Sequence, residues 1–451
     1  MTSTVDIHYK KMTEIPVSKL IIRLGIPTTI SMLVTSIYNL ADTYFVGRLG
    51  PSAQGAISVL FTLQCIIQAV AFMLGHGSGV FVAKHLADKN VKRATEFVSS
   101  AFYVSVLLGT LFMAVGLIII KPFMLFLGST ETILPYAVQY GACVLIATPF
   151  IMGSFVLNNC LRYEGKAFYA MIGLVSGGLL NILGDFLLVY VFDFGVLGAG
   201  IATAVSQMVS FVLLVILYKK FAQSQTKIKA ISKNYKDYLR IMKIGLPSFI
   251  RQGLTSISGG ILNNLSKPYG DATIAAMGVV NKYTSVIAFV GLGIGQGFQP
   301  VASFNYQAKR FDRVKNATLF TALFGTALVS ILSIPGIAFP RFIISLFQKD
   351  VAVISVGTLA LRIASIGVIV MPVSIVTNML FQSTFQAGKA SFLSMLRSGL
   401  AFIPTLILFE SLFGIVGIQI SQPVADLISS LISLPFLVYF LLKGESKCKN
   451  S

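Results

Sequence analysis

Blocks of about 20 or more apolar residues, separated by short polar breaks, recur along the whole of this 451-residue chain. That is the length a helix needs to cross roughly 30 Å of hydrocarbon. Lipid offers no hydrogen-bond partners, so a segment inside it must satisfy its own backbone N–H and C=O groups, as a helix does. The chain is 55% hydrophobic and only 11% charged, with a mean hydropathy of +0.83, whereas an ordinary soluble domain is about a quarter charged. The expected fold class is an all-α polytopic membrane protein.

Twelve transmembrane helices are predicted, near residues 19–46, 53–83, 95–120, 132–157, 167–191, 196–218, 240–266, 272–303, 315–339, 352–383, 390–412 and 415–442. Several exceed 25 residues, which implies tilt, kinks or extension beyond the bilayer. The net charge of +19 would suggest nucleic acid in a soluble protein, but its distribution argues against that partner. Of 35 Lys and Arg residues, 27 lie in the N-terminal segment, every second connection and the C-terminal tail. The alternate connections hold only Arg48, Lys121, Lys267, Arg341 and Lys349, while Arg251, Lys282 and Arg362 fall inside predicted spans. Basic residues mark cytoplasmic loops. Both termini and the long basic loop are therefore expected in the cytoplasm, with the protein in the bacterial cytoplasmic (inner) membrane. The first 17 residues include Asp6, His8, Lys10, Lys11 and Glu14 and do not read as a cleaved signal peptide. Cys65, Cys143, Cys160 and Cys448 have no metal-ligand or disulfide spacing.

Comparison of the chain with itself reveals a repeat at an offset of 220 residues, where "LGIPTTISMLVTSI" from Leu24 lies over "IGLPSFIRQGLTSI" from Ile244. The register pairs Gly25 with Gly245, Pro27 with Pro247, Thr35 with Thr255, Gly75 with Gly295 and Gly77 with Gly297. Further along, "EGKAFYAM" from Glu164 echoes "AGKASFLSM" from Ala387, and "FGVLGAG" from Phe194 echoes "FGIVGIQ" from Phe413. The expected organisation is a cytoplasmic segment at 1–18, an N-lobe of six helices at 19–218 and a cytoplasmic inter-lobe loop at 219–239. A C-lobe of six helices follows at 240–442, with a cytoplasmic tail at 443–451. An even number of spans per half gives both halves one orientation, an arrangement that suits alternating access.

Ionisable groups in hydrocarbon are costly and mark function by default. Asp42 lies in the first span and Asp185 in the fifth, with Asn181 four residues before Asp185 on the same helical face. Pro27 interrupts the first span and can kink it. Each acid has a bland alternative as a satisfied packing group or a residue of the headgroup zone, and the same choice holds for Glu410 and Asp426 in the second half. Arg251, Lys282 and Arg362 either face a cavity or snorkel to an interface. At the 220 offset Asp42 faces Leu262, and at the 223 offset of the "GKA" match Asp185 faces Leu408. The acids are thus absent from the repeated scaffold, which points to a single ion-coupling site in the first half. The glycine clusters "GHGSG" and "GLGIGQG" fit close helix packing better than phosphate binding, and His76 fits a helix-packing hydrogen bond better than a proton relay.

At these residues the chain resembles the multidrug and toxic compound extrusion (MATE) family, in its DinF-like branch of bacterial exporters. The resemblance covers nearly the whole chain and includes "IPTTISMLVTSIYNLADTYFVGRLG" from Ile26, "NILGDF" from Asn181, "GVLGAGIATAVSQ" from Gly195 and "GQGFQPVASFNYQAKRFDRVK" from Gly295. It implies a MATE-like fold of two pseudo-symmetric six-helix lobes, with drug export driven by entering H+ or Na+. It places the coupling cluster, and a Na+ site if sodium is the ion, on Asp42, Asn181, Asp185 and Thr203, with the bent first helix at Pro27. Thr203 rests on the resemblance alone, as do Tyr38, Tyr140 and Asn159 as cavity-lining polar positions.

The expected function is therefore a monomeric antiporter that needs no cofactor and exports small amphipathic, mostly cationic substrates by alternating access. Two nearby acids in low dielectric do not both stay ionised without a cation, so ion and substrate would compete. A flippase for lipid-linked saccharides or other amphiphiles is the alternative, and it would need Arg251, Lys282 and Arg362 to line one cavity. A membrane-embedded enzyme is a third reading. It has no metal spacing or nucleophile motif to support it, and its three histidines, His8, His76 and His85, are scattered.

Overall fold

The computed structural model describes residues 4–347 and 349–450, and among them every regular element is helical. The side chains of 444–450, Cys448 included, lie outside the described residues. A short helix, α1 (Thr4–Glu14), precedes α2 (Val17–Gly47), α3 (Pro51–Ala87), α4 (Val91–Ile118), the brief α5 (Ile120–Phe126), α6 (Leu134–Tyr163), α7 (Ala167–Asp185) and α8 (Gly195–Phe221). Then come α9 (Tyr235–Ser266), α10 (Asp271–Gln307), α11 (Phe311–Ala338), the brief α12 (Pro340–Phe347), α13 (Val351–Gly367), α14 (Met371–Ser383), α15 (Ala387–Met395), α16 (Phe402–Phe413) and α17 (Ile415–Asn450). The pairs α13 with α14 and α15 with α16 each form one continuous span.

Among the described residues, eleven helical spans are long and apolar enough to cross a membrane. The remaining one of the twelve expected spans is α9, whose 32 residues reach about 48 Å but which is too polar to meet that criterion. Its polar groups find partners within the protein: Asp237 pairs with Arg93, Ser248 bonds His76 at 2.7 Å, and Gln252 bonds Gln68 at 3.4 Å. A helix whose polar side chains are satisfied internally does not need an apolar surface all round.

The residues pack as two compact units. Unit 1 holds Met1–Lys11 and Ile30–Gln252, and unit 2 holds Met12–Thr29 and Gly253–Ser451. The chain therefore passes from one unit to the other inside α1, inside α2 and inside α9. In α2 the change falls two residues after Pro27, and in α9 five residues after Pro247. The repeated prolines thus stand just before the same event in two helices. Within unit 1, Gly77 of α3 lies so close to the backbone of Ile241 in α9 that a Cβ atom would overlap it. Within unit 2, Gly297 of α10 stands in the same relation to Leu24 and Gly25 of α2. The glycine clusters are close-packing contacts, repeated in both units.

The "FNYQAKRFDRVK" segment holds the start of the chain within unit 2. Asn305 Nδ2 donates to Met12 O at 3.1 Å, Arg313 donates to Ile15 O at 2.5 Å, and Arg313 Nε donates to Asn305 Oδ1 at 3.0 Å. In unit 1, Lys89 pairs with Asp6 of α1 at 2.6 Å.

The polar stretch after α8 is laid along α4 and tied at both ends. Gln225 N donates to Thr95 Oγ1 at 3.2 Å, Lys227 N to Ser99 Oγ at 3.0 Å and Ser232 N to Ser100 Oγ at 2.8 Å. At the near end the buried Glu164 carboxylate accepts from Gln223 N at 2.6 Å, Ser224 N at 3.1 Å and the Ser224 hydroxyl. Burial pushes the Glu164 carboxyl above its ordinary range, and these donors push it the other way. At the far end the buried Asp237 accepts from Arg93 at 3.2 Å, Arg240 at 3.3 Å and Ser232 Oγ at 2.7 Å. Glu164→Ala removes the acceptor for two backbone N–H groups, at about 1–3 kcal/mol for each buried donor left unsatisfied. Limited trypsin digestion is expected to cut at Lys227 and Lys229 about fivefold faster or more in this variant; an unchanged rate would mean that Glu164 does not hold the stretch.

Candidate functional site

Four helices of unit 1 bring five polar side chains together. Asp42 comes from α2, Tyr140 from α6, Asn181 and Asp185 from successive turns of α7, and Thr203 from α8, and all five are buried. The close approach of α7 to α2 needs Gly178, where a Cβ atom would stand 2.7 Å from Val34 and 3.3 Å from the Tyr38 ring. Directly after Asp185 the helix widens into a π-helical stretch, Phe186–Val191, a distortion that recurs at functional sites.

The hydrogen bonds run in one direction. Tyr140 OH donates to Asp42 Oδ2 at 2.5 Å and contacts Thr203 Oγ1 at 3.1 Å, while Asn181 Nδ2 donates to Thr203 Oγ1 at 3.1 Å. A tyrosine has one proton to give, and here it goes to Asp42. Thr203 must therefore donate to the Tyr140 oxygen, which gives the order Asn181, Thr203, Tyr140, Asp42. Among the described residues, no donor reaches four buried acceptor oxygens of this cluster: Asp42 Oδ1, Asn181 Oδ1 and both oxygens of Asp185. The two carboxylates are close enough for their charges to interact. Buried acceptors are normally satisfied, and leaving them so is costly unless a proton or a cation supplies the missing positive charge. Carboxylate, amide and hydroxyl oxygens are the donor set that hard cations take.

Tyr140, expected to line a cavity, connects Asp42 to Thr203. Tyr38 is half-buried one turn before Asp42, with the Gln207 side chain of α8 near it. Pro27 stands fifteen residues before Asp42 along α2, about 22 Å by helical rise, in the part of the helix that belongs to unit 2. Asn159 lies nineteen residues beyond Tyr140 on α6, about 28 Å away, in a different polar cluster. There Arg162 Nη2 donates to Asn159 Oδ1 and, at 3.1 Å, to His76 Nε2. A guanidinium only donates, so His76 carries its proton on Nδ1 and gives it to Ser248 Oγ at 2.7 Å. Arg251 lies within electrostatic reach of Arg162 and His76. Lys282 is exposed on α10, and Arg362 is exposed on α13, donating to Ile337 O at 3.3 Å.

The acids of the second half are satisfied. Asp426 is buried and accepts from Arg397 Nε at 2.7 Å and Gln422 Nε2 at 3.1 Å, while Glu410 accepts from Tyr269 OH at 2.9 Å. In the register that pairs Phe194 with Phe413, offset by 219, Gln422 stands where the first half has Thr203. The sequence reading did not single out Arg397, Arg162, Glu164 or Gln207. For Arg397 a signal existed: the charge count groups it with the connection before it, but position 397 falls within the predicted span 390–412, where a basic residue calls for a buried acid.

A family model described as MatE matches the chain twice, over residues 27–187 and 247–408. The two matches begin at Pro27 and Pro247, the register of the internal repeat. The multidrug export protein MepA of Staphylococcus saprophyticus is 25% identical over 424 residues, 93% of each chain. MepA of a Staphylococcus aureus strain is 26% identical over 433 residues, 95% of each. A solved outward-facing multidrug resistance MATE family transporter of the MOP superfamily superposes with a TM-score of 0.92 over 100% of both chains at 23% identity.

The contrast between the two sets of acids has a measurable consequence. Arg397→Gln strands the buried Asp426 carboxylate and is expected to cost about 3 kcal/mol, lowering the Tm of the purified protein. Asp185→Asn replaces a carboxylate that has no donor with a neutral amide, and its Tm is expected to equal or exceed that of wild type. Equal losses of Tm in the two variants would contradict the contrast between an unsatisfied Asp185 and a satisfied Asp426.

Proposed function

The chain belongs to the MatE family, and we propose that it is a cation-coupled antiporter that exports amphipathic, mostly cationic organic compounds by alternating access. The observation that carries this reading is the set of four buried acceptor oxygens on Asp42, Asn181 and Asp185 that have no donor among the described residues. With both carboxylates ionised, like charges repel in a low-dielectric site. An entering H+ or Na+ removes that repulsion. Asp42, Asn181 and Asp185 would hold the ion, with Thr203 and Tyr140 orienting Asp42. Export names on the similar proteins, MepA among them, support the cargo class. Aromatic faces and carboxylates both favour organic cations.

Pro27 acts as the hinge. It leaves the carbonyl four residues before it without its helical partner, and α2 passes from unit 2 to unit 1 two residues later. A bend there changes the course of the segment that carries Asp42, so ion binding and helix shape are linked. The distribution of Lys and Arg supports a cytoplasmic-membrane location with both termini inside. The protein works as a monomer in the bilayer, since one unit carries the whole ion site.

Ethidium efflux from energised cells tests the coupling role. Asp185→Asn and Asp42→Asn are each expected to slow efflux at least about tenfold at equal expression, the loss of roughly 1.4 kcal/mol or more of differential stabilisation. Unchanged efflux in Asp185→Asn would sink the proposed role. In proteoliposomes, an imposed pH or sodium gradient should drive dye uptake by wild type and not by Asp185→Asn, and the gradient that works identifies the ion.

A further inference from the structure

At the end of α11 the chain turns through Phe339 into the eight-residue α12, about 12 Å long. Its inner face is packed: Pro340, Ile343 and Ile344 are buried, with Ile344 against Gly357 of α13. Its outer face presents Arg341, Phe342, Leu346 and Phe347, all exposed. A short helix at the end of a span that exposes large apolar side chains beside an arginine suits the membrane interface. Beside it is a cavity of about 430 Å³, lined among others by Phe339, Arg341, Phe342, Ser345 and Arg362, with no carboxylate among the described residues of its wall.

Two guanidiniums share this cavity, and among the described residues neither belongs to an ion pair. Arg362 commits one donor, to Ile337 O at 3.3 Å. Asp350, the acid nearest in sequence to α12, spends Oδ1 on the N–H of Ala352 at 2.8 Å. Two arginines lining one cavity suit an anion with several acceptor oxygens, and arginine suits phosphate best. Flanking them, Phe339 and Phe342 are 65% and 63% exposed, which is unfavourable in water and favourable against acyl chains. The first half has only part of this arrangement. At the 220 offset Lys121 of α5 matches Arg341, but Ala142 stands opposite Arg362.

We propose that the α12 cavity binds the headgroup phosphate of an anionic phospholipid, held between Arg341 and Arg362, with the acyl chains against Phe339 and Phe342. With α9 counted as a span, α11 ends on the side opposite the termini, where basic residues are few. The site therefore belongs to the leaflet facing away from the termini and is not a consequence of the general basic bias on the cytoplasmic side. It lies in unit 2, whereas the acid cluster lies in unit 1, so its failure or success leaves the proposed transport reading untouched.

Native mass spectrometry of the full-length solubilised protein, titrated with phosphatidylglycerol and with phosphatidylcholine, tests this. Arg341→Gln and Arg362→Gln are each expected to weaken the tightest phosphatidylglycerol site about fivefold, the effect of one interfacial cation. Phosphatidylcholine binding should not change, and the Arg341→Lys, Arg362→Lys double variant should hold phosphatidylglycerol more tightly than the Arg341→Gln, Arg362→Gln double variant because charge is retained. Millimolar inorganic phosphate should leave the lipid bound. Wild-type retention of phosphatidylglycerol in the Arg341→Gln, Arg362→Gln double variant would overturn the proposal. Displacement of the lipid by inorganic phosphate would overturn it too, by reassigning the site to a free anion.

Discussion

Hydrocarbon supplies no hydrogen-bond partner, and nearly every feature of this protein follows from that. Every regular element among the described residues is helical. Hydroxyls buried in the spans turn back to carbonyls of their own helices, as Thr28 does to Leu24 O at 2.8 Å and Thr148 to Val144 O at 3.0 Å. Longer polar groups reach across to a neighbouring helix, as His76 does to Ser248 of α9. Where so much is satisfied, the few groups that are not become informative. In unit 1 unsatisfied acceptors gather on Asp42, Asn181 and Asp185.

Comparison of the two halves gives that observation its force. Gly77 and Gly297 serve the same packing role in their units, and Pro27 and Pro247 stand before the same passage of the chain from one unit to the other. The charges follow another rule. The buried acid of the second half, Asp426, has a fixed counter-ion in Arg397, so it neither needs nor attracts a mobile one. Asp42 and Asp185 have hydroxyl and amide neighbours but no basic residue in ion-pairing distance among the described residues. The two halves share the packing glycines and prolines, and they differ in whether their buried carboxylates have a fixed partner.

Other polar residues in distinctive segments turn out to be ties. Asn305 and Arg313 hold the junction of α1 and α2, and Glu164 anchors the stretch after α8. That stretch looks like a free basic loop when read by composition alone. Its serine and threonine partners on α4 recur at near-helical spacing, Thr95, Ser99 and Ser100, so the stretch runs along one face of that helix.

The sequence by itself determined the membrane class, the helix count to within the polar α9, the twofold repeat, and the candidacy of Asp42, Asn181, Asp185 and Pro27. These are legible because apolar length, internal register and the rarity of acids in apolar spans are properties of the chain alone. Thr203 and Tyr140 carried no such signal. A hydroxyl costs little in a span when it bonds its own helix, so only the positions of neighbouring helices reveal that these two connect Asn181 to Asp42. Likewise Asp426 and Asp185 look alike as letters in a string. The difference between them is whether an arginine on another helix lies within bonding distance, and that is decided by packing between segments far apart in sequence.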